Sequence, residues 1–174
     1  MKIIEGLKKV KDLLRKAEDI RTKIANNCAE YDHETPAYGT PEAQTKQISE
    51  WLQAHSDILK EIEKIRLSIQ RTNLATDVTV EVVDGKLVTK SIAAWIHRRS
   101  GLAELEALSW SVLTNRNLKP MNYKMSPSSD EVKIANVRKY YNQQERDKKV
   151  EEFTSERSRI DATLEITNAV TDLI

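Results

Sequence analysis

Residues 48–69 read ISEWLQAHSDILKEIEKIRLSI, and within them Ile48, Trp51, His55, Ile58, Ile62, Ile65 and Ile69 follow one another in unbroken three-four alternation. Side chains at that spacing share one narrow face of an α-helix, so the stretch predicts a long amphipathic helix that must bury a seam against a neighbour. Leu52 and Leu59 widen the seam on one side. Upstream, Thr40 is placed to cap the helix, Pro41 suits its first position and Glu42 its positive end, so the helix is expected over 41–71. His55 is the polar member of the seam and reads as a device for fixing register or copy number.

A second seam lies N-terminal to the first. Ile3, Leu7, Val10, Leu14, Ala17, Ile24 and Cys28 recur at steps of three and four, broken at Arg21, with Ile4, Leu13 and Ile20 beside them. This predicts a helix over 2–29, about 42 Å long at ~1.5 Å per residue, with Cys28 as a buried structural thiol. Residues 30–41 hold Pro36, Gly39 and Pro41 among polar residues and form the connection. Two amphipathic helices joined in this way are expected to pack antiparallel as a long hairpin.

After Arg71 the period changes to two. Val78, Val80 and Val82 alternate with Thr79 and Glu81, and Asp84-Gly85 separates them from Leu87 and Val88, which predicts a β-hairpin over 78–89. Ile92, Trp95, Ile96, Leu102, Leu105, Leu108, Val112 and Leu113 then mark a helix over 91–114, interrupted at Gly101. Residues 115–130, with Pro120 and Pro127, read as a loop, and a short strand is expected near 131–138. Asn142 and Glu145 fit a capping box that opens a last helix over 143–168, whose stripe of Val150, Phe153, Ile160 and Leu164 contains Arg157. The fold class is therefore mainly α: a single helical domain over 1–174, built as a coiled-coil bundle of four helices with a small β-hairpin insertion.

Two helix ends repeat one another. Thr72-Asn73-Leu74-Ala75-Thr76-Asp77 recurs as Thr167-Asn168-Ala169-Val170-Thr171-Asp172, with four of six positions identical. The pattern reads either as two similar helix stops, with Asn in the left-handed conformation, or as two equivalent docking corners of a pseudo-symmetric bundle. The chain ends also differ in charge. Residues 1–30 carry eight basic and five acidic side chains, and residues 142–174 carry five basic and eight acidic, so the ends suit one another within a chain or between chains.

Composition removes several function classes. Lys plus Arg total 28 against 27 for Asp plus Glu, which gives no global field to recruit nucleic acid or an anionic membrane. No apolar run reaches the roughly 18 residues of a membrane span, and Met1–Val10 lacks the unbroken apolar stretch of a signal peptide, so a cytoplasmic location is expected. The sole cysteine and four glycines leave no disulfide framework, no multi-cysteine zinc site and little material for phosphate-cradling loops. His33, His55 and His97 have no second ligand at helical spacing, and Glu61 with Glu63, or Glu104 with Glu106, are two residues apart and face different directions. No catalytic residue, cofactor or metal ligand is therefore assigned. His97, Arg98 and Arg99 form the densest basic cluster near an aromatic, with Trp95 two residues earlier, and Trp95, Arg98 and Arg99 are a candidate contact for an acidic partner or phosphate, set against ordinary ion pairs within the chain or between subunits.

With Arg71-Thr72-Asn73 and Thr76 closing the second helix, Asp84-Gly85-Lys86-Leu87-Val88-Thr89 leading into a helix with Arg98-Arg99, and Ile160-Asp161 through Asn168, Thr171, Asp172 and Leu173 at the end, the sequence resembles the septicolysin-like family of bacteria and phages. It departs from that pattern at Ala169, where the family usually has Trp, and at Asn142, where Asp is common. The resemblance implies coiled-coil helices, a small β element and oligomerisation, and it brings no catalytic residue. The expected function is a non-enzymatic, self-assembling structural or adaptor protein, with a virion component as one form of it. An enzyme or small-molecule binder with a site between subunits is the alternative, and a membrane-active toxin a third reading. Leu13, Ile20, Leu52 and Leu59, on the rows beside the two seams, are the expected homo-oligomer interface.

Overall fold

The computed structural model describes residues 1–83, 85–116 and 137–174. In chain order the elements are α1 (Ile3–Asn27), α2 (Pro41–Ala75), β1 (Asp77–Val83), β2 (Lys86–Ser91), α3 (Ile92–His97), α4 (Ala103–Ser111) and α5 (Gln143–Val170). Helix accounts for 71% of the described residues, and β1 and β2 pair as a two-stranded antiparallel hairpin, the fold class expected. α3 and α4 are the arms of the helix predicted over 91–114, joined by a wider π-type turn at Arg98–Leu102 in which Gly101 leaves helical geometry. The strand predicted near 131–138 and the loop over 115–130 lie largely outside the described residues, and Val137 and Arg138 belong to no strand.

Contacts group the chain into two compact units, one of Met1–Val78, Lys90–Ala93 and Thr163–Ile174, the other of Thr79–Thr89 and Ala94–Ala162. In the first, α2 turns inward the seam read from its sequence. Ile62, Ile65 and Ile69 are buried, Ile48, Trp51, His55 and Ile58 half-buried, and Gln44 and Thr72 extend the row at its two ends. Thr40 caps the helix, its hydroxyl oxygen accepting from the Ala43 amide at 3.2 Å.

α1 meets this seam through Ile3, Val10, Ala17 and Ile24 as expected, but with Gly6, Leu13 and Asn27 in place of Leu7, Leu14 and Cys28. Ile3, Gly6, Val10, Leu13 and Ala17 are buried and the row continues through half-buried Ile20, Ile24 and Asn27, while Leu7, Leu14 and Cys28 are exposed. The physical reason is Gly6. A Cβ added there would stand 2.9 Å from Leu173 Cδ1, 3.5 Å from Ile69 Cδ1 and 3.6 Å from Ile65 Cγ2, so the inward position is filled by neighbours rather than by its own side chain. The pairing is antiparallel: Gly6 lies against Ile65 and Ile69, and at the far end the Gln44 amide donates to the Asn27 carbonyl at 2.8 Å. On one flank Lys9 Nζ bridges to Glu61 Oε1 at 2.6 Å. Cys28 is thus an exposed thiol, not the buried one expected.

The two repeated helix ends come together in the first unit as matching corners. At the end of α2 the Thr72 hydroxyl donates to the Ser68 carbonyl at 2.9 Å, the Thr76 amide to the Thr72 carbonyl at 2.9 Å and the Ile92 amide to the Thr76 carbonyl at 2.9 Å. At the end of α5 the Thr167 hydroxyl donates to the Thr163 carbonyl at 2.8 Å, the Thr171 amide to the Thr167 carbonyl at 2.9 Å and the Ile3 amide to the Thr171 carbonyl at 3.0 Å. Ile3 and Ile92 each open a helix and each is 1% exposed. Asn73 and Asn168 sit in last helical turns, and no non-glycine residue described has a positive φ, so the helices end without the left-handed Asn that was one expectation. Instead the chain passes into extended backbone at Thr76, and β1 begins at Asp77.

At the second corner the chain ends pair. Lys2 and Asp172 form an antiparallel bridge, the Leu173 amide donates to the Met1 carbonyl at 2.9 Å, and the Ile174 amide donates to the Thr72 hydroxyl at 3.0 Å. Lys2 Nζ donates to Asp172 Oδ2 at 2.6 Å and to the Val170 carbonyl at 2.7 Å.

The second unit has Val80, Trp95 and Ile160 fully buried. Its ribbon is in register at Thr79 and Thr89, whose hydroxyls lie 2.7 Å apart, and Gly85 takes φ +78°, the conformation its turn requires. Asn142 caps α5 as expected, its Oδ1 accepting from the Gln144 and Glu145 amides at 2.9 and 3.2 Å.

Candidate functional site

The chemistry-bearing residues of the second unit gather around the π-type turn. Arg98 donates through Nε to Glu156 Oε1 at 2.7 Å and through Nη2 to Glu156 Oε2 at 2.8 Å, a bidentate pair, and through Nη2 also to Glu106. Its guanidinium lies over the Phe153 ring, 5.5 Å from the centroid. The hydrogen bonds to Glu156, and then those to Glu106, raise the Arg98 pKa further above its ordinary value, so the network holds a permanent cation. Arg99 Nη1 pairs with Asp161 Oδ1 at 3.0 Å.

This placement corrects the reading of Trp95, Arg98 and Arg99 as a partner contact. Trp95 is 0% exposed, and both arginines are spent on carboxylates of α5. The guanidinium of Arg98 inside the unit offsets a carboxylate that would otherwise be buried alone.

Beside the network α4 and α5 leave a groove of about 420 Å³, lined by Arg99, Ala103, Ala107, Leu108, Phe153 and Arg157 among others. Arg157 is exposed and has no hydrogen bond or ion pair among the described residues. No cluster of metal ligands occurs among the described residues.

The residues expected at an oligomer interface separate. Leu13, 6% exposed, belongs to the α1/α2 seam and is unavailable, because the inward phase of α1 takes it; Ile20 is half-buried, and Leu52 and Leu59 are exposed. The exposed apolar residues of the two helices are Ile4, Leu7 and Leu14 on α1 with Leu52, Leu59, Leu67 and Leu74 on α2. At about 100° per residue, Leu7 and Leu14 lie roughly 140 to 160° around α1 from Lys9, and Leu52 and Leu59 roughly 160 to 180° around α2 from Glu61. Since Lys9 and Glu61 meet on one flank, the four leucines share the other. The remaining corner residues stand where the fold needs them: Thr72 is buried, Thr76, Thr167 and Thr171 carry the helix exits, and Asp172 binds Lys2, while Asp77 is exposed at the start of β1.

No family model and no curated protein matches the chain. The fold is similar to a crystal structure of a functionally unknown conserved protein from Corynebacterium diphtheriae, with a TM-score of 0.55 and 18% identity over 100% of this chain and 99% of that one. That likeness shows a shared fold. No described helix is long and apolar enough to cross a membrane.

Proposed function

We propose that the chain is a non-enzymatic structural or adaptor protein that self-associates through the apolar flank of its α1/α2 hairpin. The observation that supports this reading is the exposed row of Leu7, Leu14, Leu52 and Leu59 on one side of a well-closed hairpin. Burying such side chains contributes roughly 1.5 to 3 kcal/mol each, enough in sum to offset the entropy of association. Lys11 and Arg66 beside Glu18 and Glu63 give the flank both signs of charge, which lets a second copy meet it without net repulsion. Of the oppositely charged chain ends, Lys2 and Asp172 already pair within one chain. Light scattering at micromolar concentration and physiological salt is expected to give a mass above the 19.9 kDa of one chain. Leu14→Glu with Leu59→Glu is expected to return the monomer with unchanged helix content, and a monodisperse wild-type monomer would sink the reading.

A further inference from the structure

The two helical halves of the chain are versions of one pattern, and their differences point to a ligand. Counting from the corners, α5 follows α2 at an offset of 95 residues, which sets Thr167 on Thr72, Leu164 on Ile69, Ile160 on Ile65 and Glu156 on Glu61. α3 follows α1 at an offset of 89, setting Ile92 on Ile3 and Arg98 on Lys9. The π-type turn inserts one residue, so that Ala103 then falls on Leu13 and Ala107 on Ala17. The correspondence extends to bonds: Lys9 pairs with Glu61 at 2.6 Å and Arg98 with Glu156 at 2.7 Å. Ile3 and Ile92 likewise donate their amides to the equivalent carbonyls of Thr171 and Thr76.

The halves differ at several positions, Trp95 on Gly6 and Arg146 on Trp51 among them, and three of the differences meet at the groove. Val10, Leu13 and Ile62 are buried seam residues that close the first hairpin, and their counterparts are Arg99, Ala103 and Arg157. All three counterparts line the 420 Å³ groove. One large aliphatic side chain has become small and two have become cationic at the places where the other half is solid. Leu108 and Phe153 provide apolar walls, Arg99 is held by Asp161, and the Arg157 guanidinium has no counter-ion among the described residues.

We infer that this groove binds a small ligand with an apolar body and a single carboxylate, its anionic end on Arg157 and its body along Phe153, Leu108 and Ala103. The volume lies within the range of ligand pockets, about 300 to 1,000 Å³. A guanidinium offers a carboxylate two parallel N–H donors, the recognition a planar anion needs. Glu104 also lines the groove and disfavours a second negative charge, which selects a monoanion over a phosphate dianion.

Titration calorimetry of the full chain with octanoate and with 1-octanol tests the assignment. Octanoate is expected to bind saturably with one site per chain, and 1-octanol at least about tenfold more weakly, for want of the charge. Arg157→Gln, on an exposed side chain, is expected to weaken octanoate by about tenfold or more and to leave 1-octanol unchanged. Ala103→Leu restores the residue of the first half and is expected to abolish binding of both, with folding checked by circular dichroism. No saturable octanoate binding below about 10 mM, equal binding of the alcohol, or unaltered octanoate binding in Arg157→Gln would each overturn it.

Discussion

Glu156 has both carboxylate oxygens on Arg98 and a side chain 5% exposed, so each partner is the other's compensation for leaving water. Arg98 keeps Glu106 if Glu156 is removed, whereas removing Arg98 leaves the Glu156 carboxylate buried without compensation, so Arg98→Ala is expected to cost about 3 to 5 kcal/mol in urea unfolding. Gly6 offers a graded test of the close approach at the seam. The atom nearest to an added Cβ is the mobile end of Leu173, so Gly6→Ala should fall within about 1 kcal/mol of wild type, its helix propensity offsetting the contact. Gly6→Leu cannot be accommodated by that shift and is expected to lose about 2 kcal/mol. Asp172 responds to pH. Its pKa is lowered from 3.8 by the hydrogen bond from Lys2 Nζ, with the charges of Lys2 and the N-terminus adding to it. A depressed folded-state pKa stabilises the folded form above the ordinary carboxylate value, and this is lost as pH falls through the lowered one. Carbon NMR titration should therefore place the Asp172 midpoint below 3.8, and Lys2→Ala should move it back up. At this scale Arg98 and Arg99 were legible as a basic cluster, but their acceptors on α5 lie 58 and 62 residues away, a separation no local pattern reveals.

The elements differ in how openly they declare their inward face. The seam of α2 was readable because its apolar side chains favour one three-four phase, while its polar members Gln44 and Thr72 and its end at Ala75, beyond the expected 71, were not. α1 carries two adjacent phases, and Leu7 and Leu14 make the outer one look like the seam while Gly6 conceals the inner. A glycine scores as a gap in hydrophobic periodicity even where the closest packing occurs. The caps were legible because their chemistry is local. Asn142→Ala, which frees the Gln144 and Glu145 amides, is expected to cost about 1 kcal/mol. The corner threonines allow a matched comparison: Thr72→Val removes the acceptor of the Ile174 amide as well as a hydroxyl donor and should cost about 1 to 2 kcal/mol. Thr167→Val removes the donor to Thr163 and should cost less, with both read from thermal unfolding.

In the whole molecule the repeated Thr-Asn-x-x-Thr-Asp ends offered the pairing of corners as one of two readings, yet the extent of the repeat was hidden. Few side chains coincide between the halves, and the inserted residue at Arg98–Leu102 shifts the register of everything beyond it in α4. The groove between α4 and α5 lies beyond that shift and could not be read from either half alone.

The antiparallel bridge between Lys2 and Asp172 gives the protein a choice of where its backbone begins. With residues 1–3 and 171–173 already hydrogen-bonded, a short linker from Ile174 to Met1 would close the chain into a loop without moving a helix. Opening that loop after Gly85, at an exposed turn, makes a circular permutant whose new ends sit at the ribbon and whose old ends become a connecting hairpin. For the natural order of the chain the same geometry means that a label or fusion attached to one end emerges beside the other. It would press on the corner that orders Ile3 and Thr72, so the turn at Gly85 is the safer place to attach one.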